Sequence, residues 1–292
     1  MHRWMRFAGG SVAALALTGG GALAASAGLT SVGGAVPGAA SRAEARAALA
    51  SVRLGAPNLP ARLRGTRQSA DAPNAASYNW SGYADTSTTA NYFTSVSGGW
   101  VVPKVTCTKE DEIVSDWVGI DGWSDSTVEQ LGTIGQCFEG KAIYYSWYEM
   151  YPAGTVEVGT TVKPGDHISA KVARSSTSYT LTLTDATTTG NNISTKQSCA
   201  LTTCLDESVE WIAERPAYSI GIVPMAPFTT WALSSAHAAG GGKSGVISSF
   251  GTPLDVESVD ATDTYELAIP GSLSSTGNSF KDAFQTSPGE SY

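Results

Sequence analysis

Histidine is nearly absent from this chain. There are three in 292 residues, and only His167 and His237 lie beyond the first stretch. That shortage removes the commonest general base and the commonest metal ligand from most of the sequence. His237 lies near Ser234 and Ser235, but in a Gly/Ala-rich, loop-like stretch, and no GxSxG elbow accompanies it. A Ser-His-Asp triad converges only in space, so it stays open as a weak alternative. There is no CxxC or HExxH spacing for zinc and no Gly-rich loop for a phosphate or dinucleotide. We expect no metal and no cofactor. Charged residues are sparse, at 15%. No long helical period appears, and after residue 27 no apolar run is long enough to span a membrane.

What is present is β-like. The chain is 42% hydrophobic, with 8 Trp, 11 Tyr and 32 Gly, a mixture that suits an extracellular all-β protein. Strand-like runs follow one another at 93–102, 113–120, 128–134, 142–151, 167–173, 179–184, 192–197 and 208–214, then at 228–234, 245–250 and 264–269. Turn signals such as Pro164-Gly165-Asp166 and Thr189-Gly190-Asn191 separate them. Many short strands at this spacing predict an antiparallel sandwich or barrel in a single domain, 73–292. The Ser/Gly-rich tail from Gly271 is expected to be partly loose.

The start of the chain differs in composition. Arg3 and Arg6, an Ala/Leu-rich apolar segment and small residues at 22–27 read as a secretory signal, 1–27. Residues 28–72 are rich in Ala, Arg, Pro and Gly. A capping-box pattern at Ser41-Arg42-Ala43-Glu44 suggests a short helix over 42–54, ended by Gly55 and Pro57. Arg42, Arg46, Arg53, Arg62, Arg64 and Arg67 make this stretch basic. The body beyond it is therefore more acidic than the net charge of −8 for the whole chain. A basic propeptide held to an acidic body by charge, and released in acid, is the expectation; a disordered linker is the alternative. The acidic body argues against nucleic acid and anionic membrane as partners. We expect a secreted monomer.

Four cysteines in an exported chain suggest disulfides. The close spacing of Cys199 and Cys204 favours a local staple, leaving Cys107 with Cys137. The second bridge would close a loop of roughly 30 residues, worth about 3–4 kcal/mol in a chain-entropy account.

The chemistry left to the chain is that of carboxylates. In an extended Ser208-Val209-Glu210-Trp211-Ile212-Ala213-Glu214, alternation places Glu210, Ile212 and Glu214 on one face. Trp117, Gly119 and Asp121 share a face, as do Tyr145, Trp147, Glu149 and Tyr151. Aromatics alternating with acids suit a concave substrate groove as well as they suit an inter-sheet core.

Several segments together resemble the glutamic peptidases, or eqolisins. They are Asn79-Trp80-Ser81-Gly82-Tyr83-Ala84, Gly99-Trp100-Val101-Val102-Pro103, Trp117-Val118-Gly119-Ile120-Asp121-Gly122, Glu129-Gln130-Leu131-Gly132-Thr133, Tyr145-Ser146-Trp147-Tyr148-Glu149-Met150-Tyr151-Pro152, Pro164-Gly165-Asp166 and Val209-Glu210-Trp211-Ile212-Ala213-Glu214-Arg215-Pro216. They cover about 78 to 216. The resemblance implies a sandwich of two bent antiparallel sheets, of the concanavalin-type lectin and glucanase kind. It implies a catalytic pair at Gln130 and Glu210, with Gln136 a second candidate glutamine. Groove residues would be Trp80, Trp117, Asp121, Trp147 and Glu149. Fungal members often carry an acid where Tyr145 stands. The implied activity is a secreted acid endopeptidase made as a zymogen and acting on polypeptides, with its own propeptide as a partner. Two alternatives remain. A glycosidase on the same sandwich would use Glu149 and Glu210. A carbohydrate- or peptide-binding module would make Glu210 dispensable.

Overall fold

The computed structural model describes residues 52–53, 57–61, 75–218, 221–260, 262 and 265–285. The signal segment and most of 28–72 lie outside the described residues. The described part is all-β apart from one short 3-10 turn, Ile247–Ser249.

The main strands form one hydrogen-bonded path. It runs from Ile193–Ser198 through Ser178–Asp185, His167–Ser175, Phe93–Val101 and Trp231–Gly240. It continues through Phe280–Phe284, Glu266–Pro270 and Leu254–Val259. The last part is Trp80–Thr86, Ser208–Glu214, Ile113–Ile120, Val128–Phe138, Lys141–Tyr151 and Val156–Gly159. Neighbours along the path are antiparallel. The short Ala75–Ser77 strand joins Leu254–Val259 in parallel.

The path folds over on itself into a sandwich. One hydrophobic cluster joins Val118, Leu131, Val209 and Trp211 from the end of the path to Val96, Ile168, Val172, Leu181 and Leu233 from its beginning. Burying each such side chain contributes about 1.5–3 kcal/mol. Trp211 fits there because its indole N–H donates to the Ser97 carbonyl at 2.9 Å.

The two halves differ in what covers their outer faces. His167–Ser175 and Ser178–Asp185 alternate between exposed and buried residues, as in a sheet with one wet face. Ile113–Ile120 and Ser208–Glu214 are buried at every position. Their second face carries a separate cluster containing Trp80, Trp117, Val128, Tyr145, Trp147 and Ile212. The alternating aromatics therefore do not fill the inter-sheet core; they line the opposite face.

Cys107–Cys137 and Cys199–Cys204 pair as expected. Several local expectations are corrected. The 245–250 run is largely the 3-10 turn Ile247–Ser249, because Gly245, Gly251 and two serines give it turn chemistry. His237 lies in a strand, Trp231–Gly240, since small residues fit the sheet there as well as in a loop. The tail is not loose up to residue 285: Phe280–Phe284 pairs on both sides, anchored by buried Phe280. Val52–Arg53, the end of the expected helix, is a strand paired with Ala217–Tyr218. Among the described residues no helix is long and apolar enough to cross a membrane.

Candidate active site

The register of four strands builds the site. Glu210 lies opposite Gly119, Gly119 opposite Gln130, and Gln130 opposite Glu149. Directly opposed residues point to the same face. Three candidate side chains and one glycine thus form a row across the second face of the sheet. Gly119 is the gap in that row. A Cβ there would lie 2.8 Å from the Trp117 ring and 3.1 Å from Gln130 Cβ. The missing side chain leaves space between Glu210 and Gln130.

Glu210 is fully buried. Burial raises its pKa well above the ordinary carboxylate value. The Ser208 hydroxyl opposes this, and the charges of Asp121, Asp125 and Glu129 add to it. Neither Glu210 oxygen makes a well-formed hydrogen bond to a described residue. Gln130 is also fully buried, and its Nε2 donates to Glu149 Oε2 at 3.3 Å. Glu149 accepts a second bond, from Thr155 Oγ1 at 3.1 Å, on its other oxygen. The bond to Glu149 turns the N–H side of the Gln130 amide toward that carboxyl group.

The expected groove aromatics sit beside this row. Trp80 and Trp117 meet edge to face, with ring centroids 5.1 Å apart, and Trp123 joins them at 6.5 Å from Trp80. Trp147 is two residues from Glu149 and fully buried. Asp121 departs from the expected alternation. It has left the strand, with φ at 68°, and its oxygens accept the backbone N–H groups of Asp206 and Glu207, both at 2.8 Å. It therefore secures the approach to the Glu210 strand. Burial raises its pKa to about 7, and Asp125 adds to the effect.

Asp121, Glu129 and Asp206 come close enough together to be considered as a cation site. The oxygens of Asp121 and Asp206 already have other donors, while Glu129 Oε2 has none among the described residues. Besides the bonds to Asp121, Tyr179 donates to Asp206 at 2.6 Å, and Arg174 pairs with it at 2.9 Å. The Gln136 side chain is buried and on the same strand as Gln130, but opposite Ile113 and Ile143, away from the row.

Sequence reasoning missed the role of Glu214. It is fully buried and accepts from the Trp117 indole at 2.9 Å and from Asn79 Nδ2 at 3.2 Å. Burial raises its pKa well above the ordinary value, and the charge of Glu149 adds to that. Alternation placed Glu214 on the correct face, but only the fold reveals that it holds Trp117 and Asn79.

Residues 78–275 match the model of the Peptidase A4 family. A search of curated proteins found no match. Among solved structures, the chain is similar to scytalido-glutamic peptidase bound to a transition-state analogue inhibitor. Identity is 24%, covering 71% of this chain and 98% of that one, with a TM-score of 0.60. SCP-B, an eqolisin in complex with the tripeptide Ala-Ile-His, is similar at 23% identity over 71% of this chain and 98% of that one, with a TM-score of 0.56. Aspergilloglutamic peptidase from Aspergillus niger shares 25% identity over 60% of this chain and 100% of that one, with a TM-score of 0.51. At these identities the likeness carries the fold.

Proposed function

The chain belongs to the Peptidase A4 family and is a glutamic-type peptidase; from that premise we propose that it is a secreted endopeptidase in which Glu210 and Gln130 act on water to cleave peptide bonds in acid. The row Glu210–Gly119–Gln130 carries this reading. Glu210, ionised, takes a proton from a water held between it and Gln130. The water attacks the scissile carbonyl. The Gln130 amide, held by Glu149, donates to the developing oxyanion, and Glu210 returns its proton to the leaving nitrogen.

Burial constrains when this chemistry runs. While Glu210 is enclosed its pKa is raised, so in acid it is protonated and cannot act as a base. Contact with water would move it back toward about 4.3. A basic leading segment, 28–72, that leaves in acid accords with that need, and the signal-like 1–27 accords with export.

The glycosidase alternative is disfavoured by the same row. Glu210 and Glu149 lie three strand spacings apart, about 14 Å between backbones, with Gln130 between them. To reach the roughly 5–9.5 Å of paired glycosidase carboxylates, both side chains would have to lean over Gln130, whereas Glu149 is held on Gln130 and Thr155.

The test is an assay of acid-treated protein on denatured protein and on polysaccharide across pH, with Glu210→Gln and Gln130→Ala alongside. Peptide cleavage with an acid optimum, lost in Glu210→Gln, is expected. Gln130→Ala should lower kcat by about 10²–10³, the usual cost of one oxyanion donor. Cleavage only at neutral pH, or cleavage retained in both variants, overturns the reading. Gly119→Ala provides a further check. Its methyl group presses on Trp117 and Gln130, so kcat should fall about 100-fold through misplacement of the amide. Thermal melts should show a loss of about 1–3 kcal/mol.

A further inference from the structure

Residues 57–61 lie against the site and are held through their backbone. The Asn58 N–H donates to the Gly122 carbonyl at 2.9 Å, and the Leu59 N–H to Asn79 Oδ1 at 2.8 Å. Asn79 Nδ2 donates back to the Pro57 carbonyl at 3.1 Å. The Tyr78 N–H donates to the Leu59 carbonyl at 2.8 Å. Leu59 and Pro60 are exposed, and only Ala61 packs its side chain, against Ala76 and Val259. Asn58 Oδ1 is buried with no hydrogen-bond partner among the described residues.

The groups that hold this segment follow different strand ends in the chain but meet in space. Gly122 follows the strand end at which Ile120 pairs with Val209. Asn79 precedes Trp80, which pairs with Glu214 at the other end. Consecutive residues, 58 and 59, bond to the two, and a trans peptide step is only about 3.8 Å, so the turn carrying Gly122 comes back over the face to meet Asn79 and the segment closes that junction. Trp80 is directly involved, because a Cβ on Gly122 would come within 3.0 Å of its ring.

Asn79 is in place without the segment. Its Nδ2 donates to Glu214 and its Oδ1 accepts from Ser77 Oγ at 2.9 Å. It therefore presents a fixed donor and acceptor at the spacing of a peptide's own carbonyl and N–H. We infer that Asn79, the Tyr78 N–H and the Gly122 carbonyl form a subsite that reads the backbone of an extended polypeptide, occupied in the full-length chain by its own residues 57–61. This deepens the peptidase reading and rests on it for the identity of the competing ligand, a substrate chain. Because recognition is through the backbone, the subsite is indifferent to side chains that project outward as Leu59 and Pro60 do. The unpartnered Asn58 Oδ1 makes the resident segment an imperfect occupant, which a substrate can displace.

The test uses the full-length chain and a fluorescein-labelled peptide of residues 55–63, with binding read by anisotropy. Leu59→Pro removes the N–H that Asn79 accepts, and so frees the subsite. The probe should then bind at least about 10-fold tighter than to the unchanged chain, since an internal competitor lowers apparent affinity. Adding Asn79→Ala should abolish that gain. Equal affinity for the unchanged and Leu59→Pro chains overturns the inference. Should Leu59→Pro fail to fold, hydrogen exchange on the unchanged chain decides: saturating probe should speed exchange of the Leu59 amide, and no change overturns the inference. These readouts do not require hydrolysis. A chain that binds the probe as expected but cleaves nothing would sink the peptidase reading and leave the subsite standing.

Discussion

Glu210→Gln should abolish peptide hydrolysis, by about 10⁴-fold, while leaving the protein folded and more stable at neutral pH. The expected loss sits at the upper end for a single acid–base group because, in the proposed mechanism, Glu210 takes a proton and later returns it. Glutamine matches glutamate in size, so packing in the fully buried position is kept. The gain in stability follows from the sign of the shift. A carboxyl whose folded pKa is raised binds its proton more tightly in the folded state, so stability falls as pH rises through that pKa. An amide has no such loss. The measurements are kcat/KM on denatured protein in acid and melting temperature at pH 4 and pH 7. Glu214→Gln is the matched comparison. It should loosen Trp117 and Asn79 and raise KM, with a smaller effect on kcat. If Glu214→Gln removes activity and Glu210→Gln does not, the two assignments are exchanged.

The face that carries this chemistry was legible in the sequence because strand alternation is rigid. Once Ser208–Glu214 is a strand, Glu210 and Glu214 must share a side. Alternation cannot say which neighbours stand opposite. The row from Glu210 through Gly119 to Gln130 is a matter of register, fixed by packing on both faces of Ile113–Ile120. Asp121 was misplaced for a related reason. The pattern was extended one residue too far, past the point where a positive φ turns the chain. The tail was misread because composition alone suggested looseness. Two phenylalanines in Phe280–Phe284 were enough to dock it, Phe280 against Tyr83 with ring centroids 4.7 Å apart and Phe284 near Phe228 at 5.8 Å. The backbone subsite left no sequence signal at all, since its ligand is recognised by amide groups that every residue carries.

The protein should be stable in acid and lose stability steeply toward alkaline pH, the reverse of what paired surface carboxylates produce. Its acids are buried in unusual number. Asp116 and Asp282 are both buried in the sandwich, and each is raised chiefly by that burial, Asp282 to about 7 and Asp116 well above the ordinary value, with the charge of Asp282 adding to the shift on Asp116. Burial likewise takes Asp85 to about 8 and Asp121 to about 7. Each begins near 3.8 in the unfolded chain. Between those values the folded state holds more protons than the unfolded state, so the slope of stability with pH is negative. The contribution is complete below about pH 4 and is lost as pH rises through 7–8. At about 1.36 kcal/mol per pKa unit, a shift of this size is a sizeable share of the roughly 5–15 kcal/mol that hold a domain folded. The melting temperature should therefore fall by more than about 10 °C from pH 4 to pH 8. Asp185 limits the benefit at the acid end. Burial raises it, but the N–H groups of Thr188 and Thr187 and the Asn191 amide outweigh burial and hold its pKa down, so stability is lost as pH falls through that lowered value. Asp282→Asn separates this account from a general effect of net charge. It removes one titration from the core, and should stabilise the protein at pH 8 by at most about 4 kcal/mol, read as a higher melting temperature, while leaving pH 4 nearly unchanged. An equal shift at both pH values, or a melting temperature that rises from pH 4 to pH 8 in the unchanged chain, would mean that these carboxyls are not held neutral by the fold.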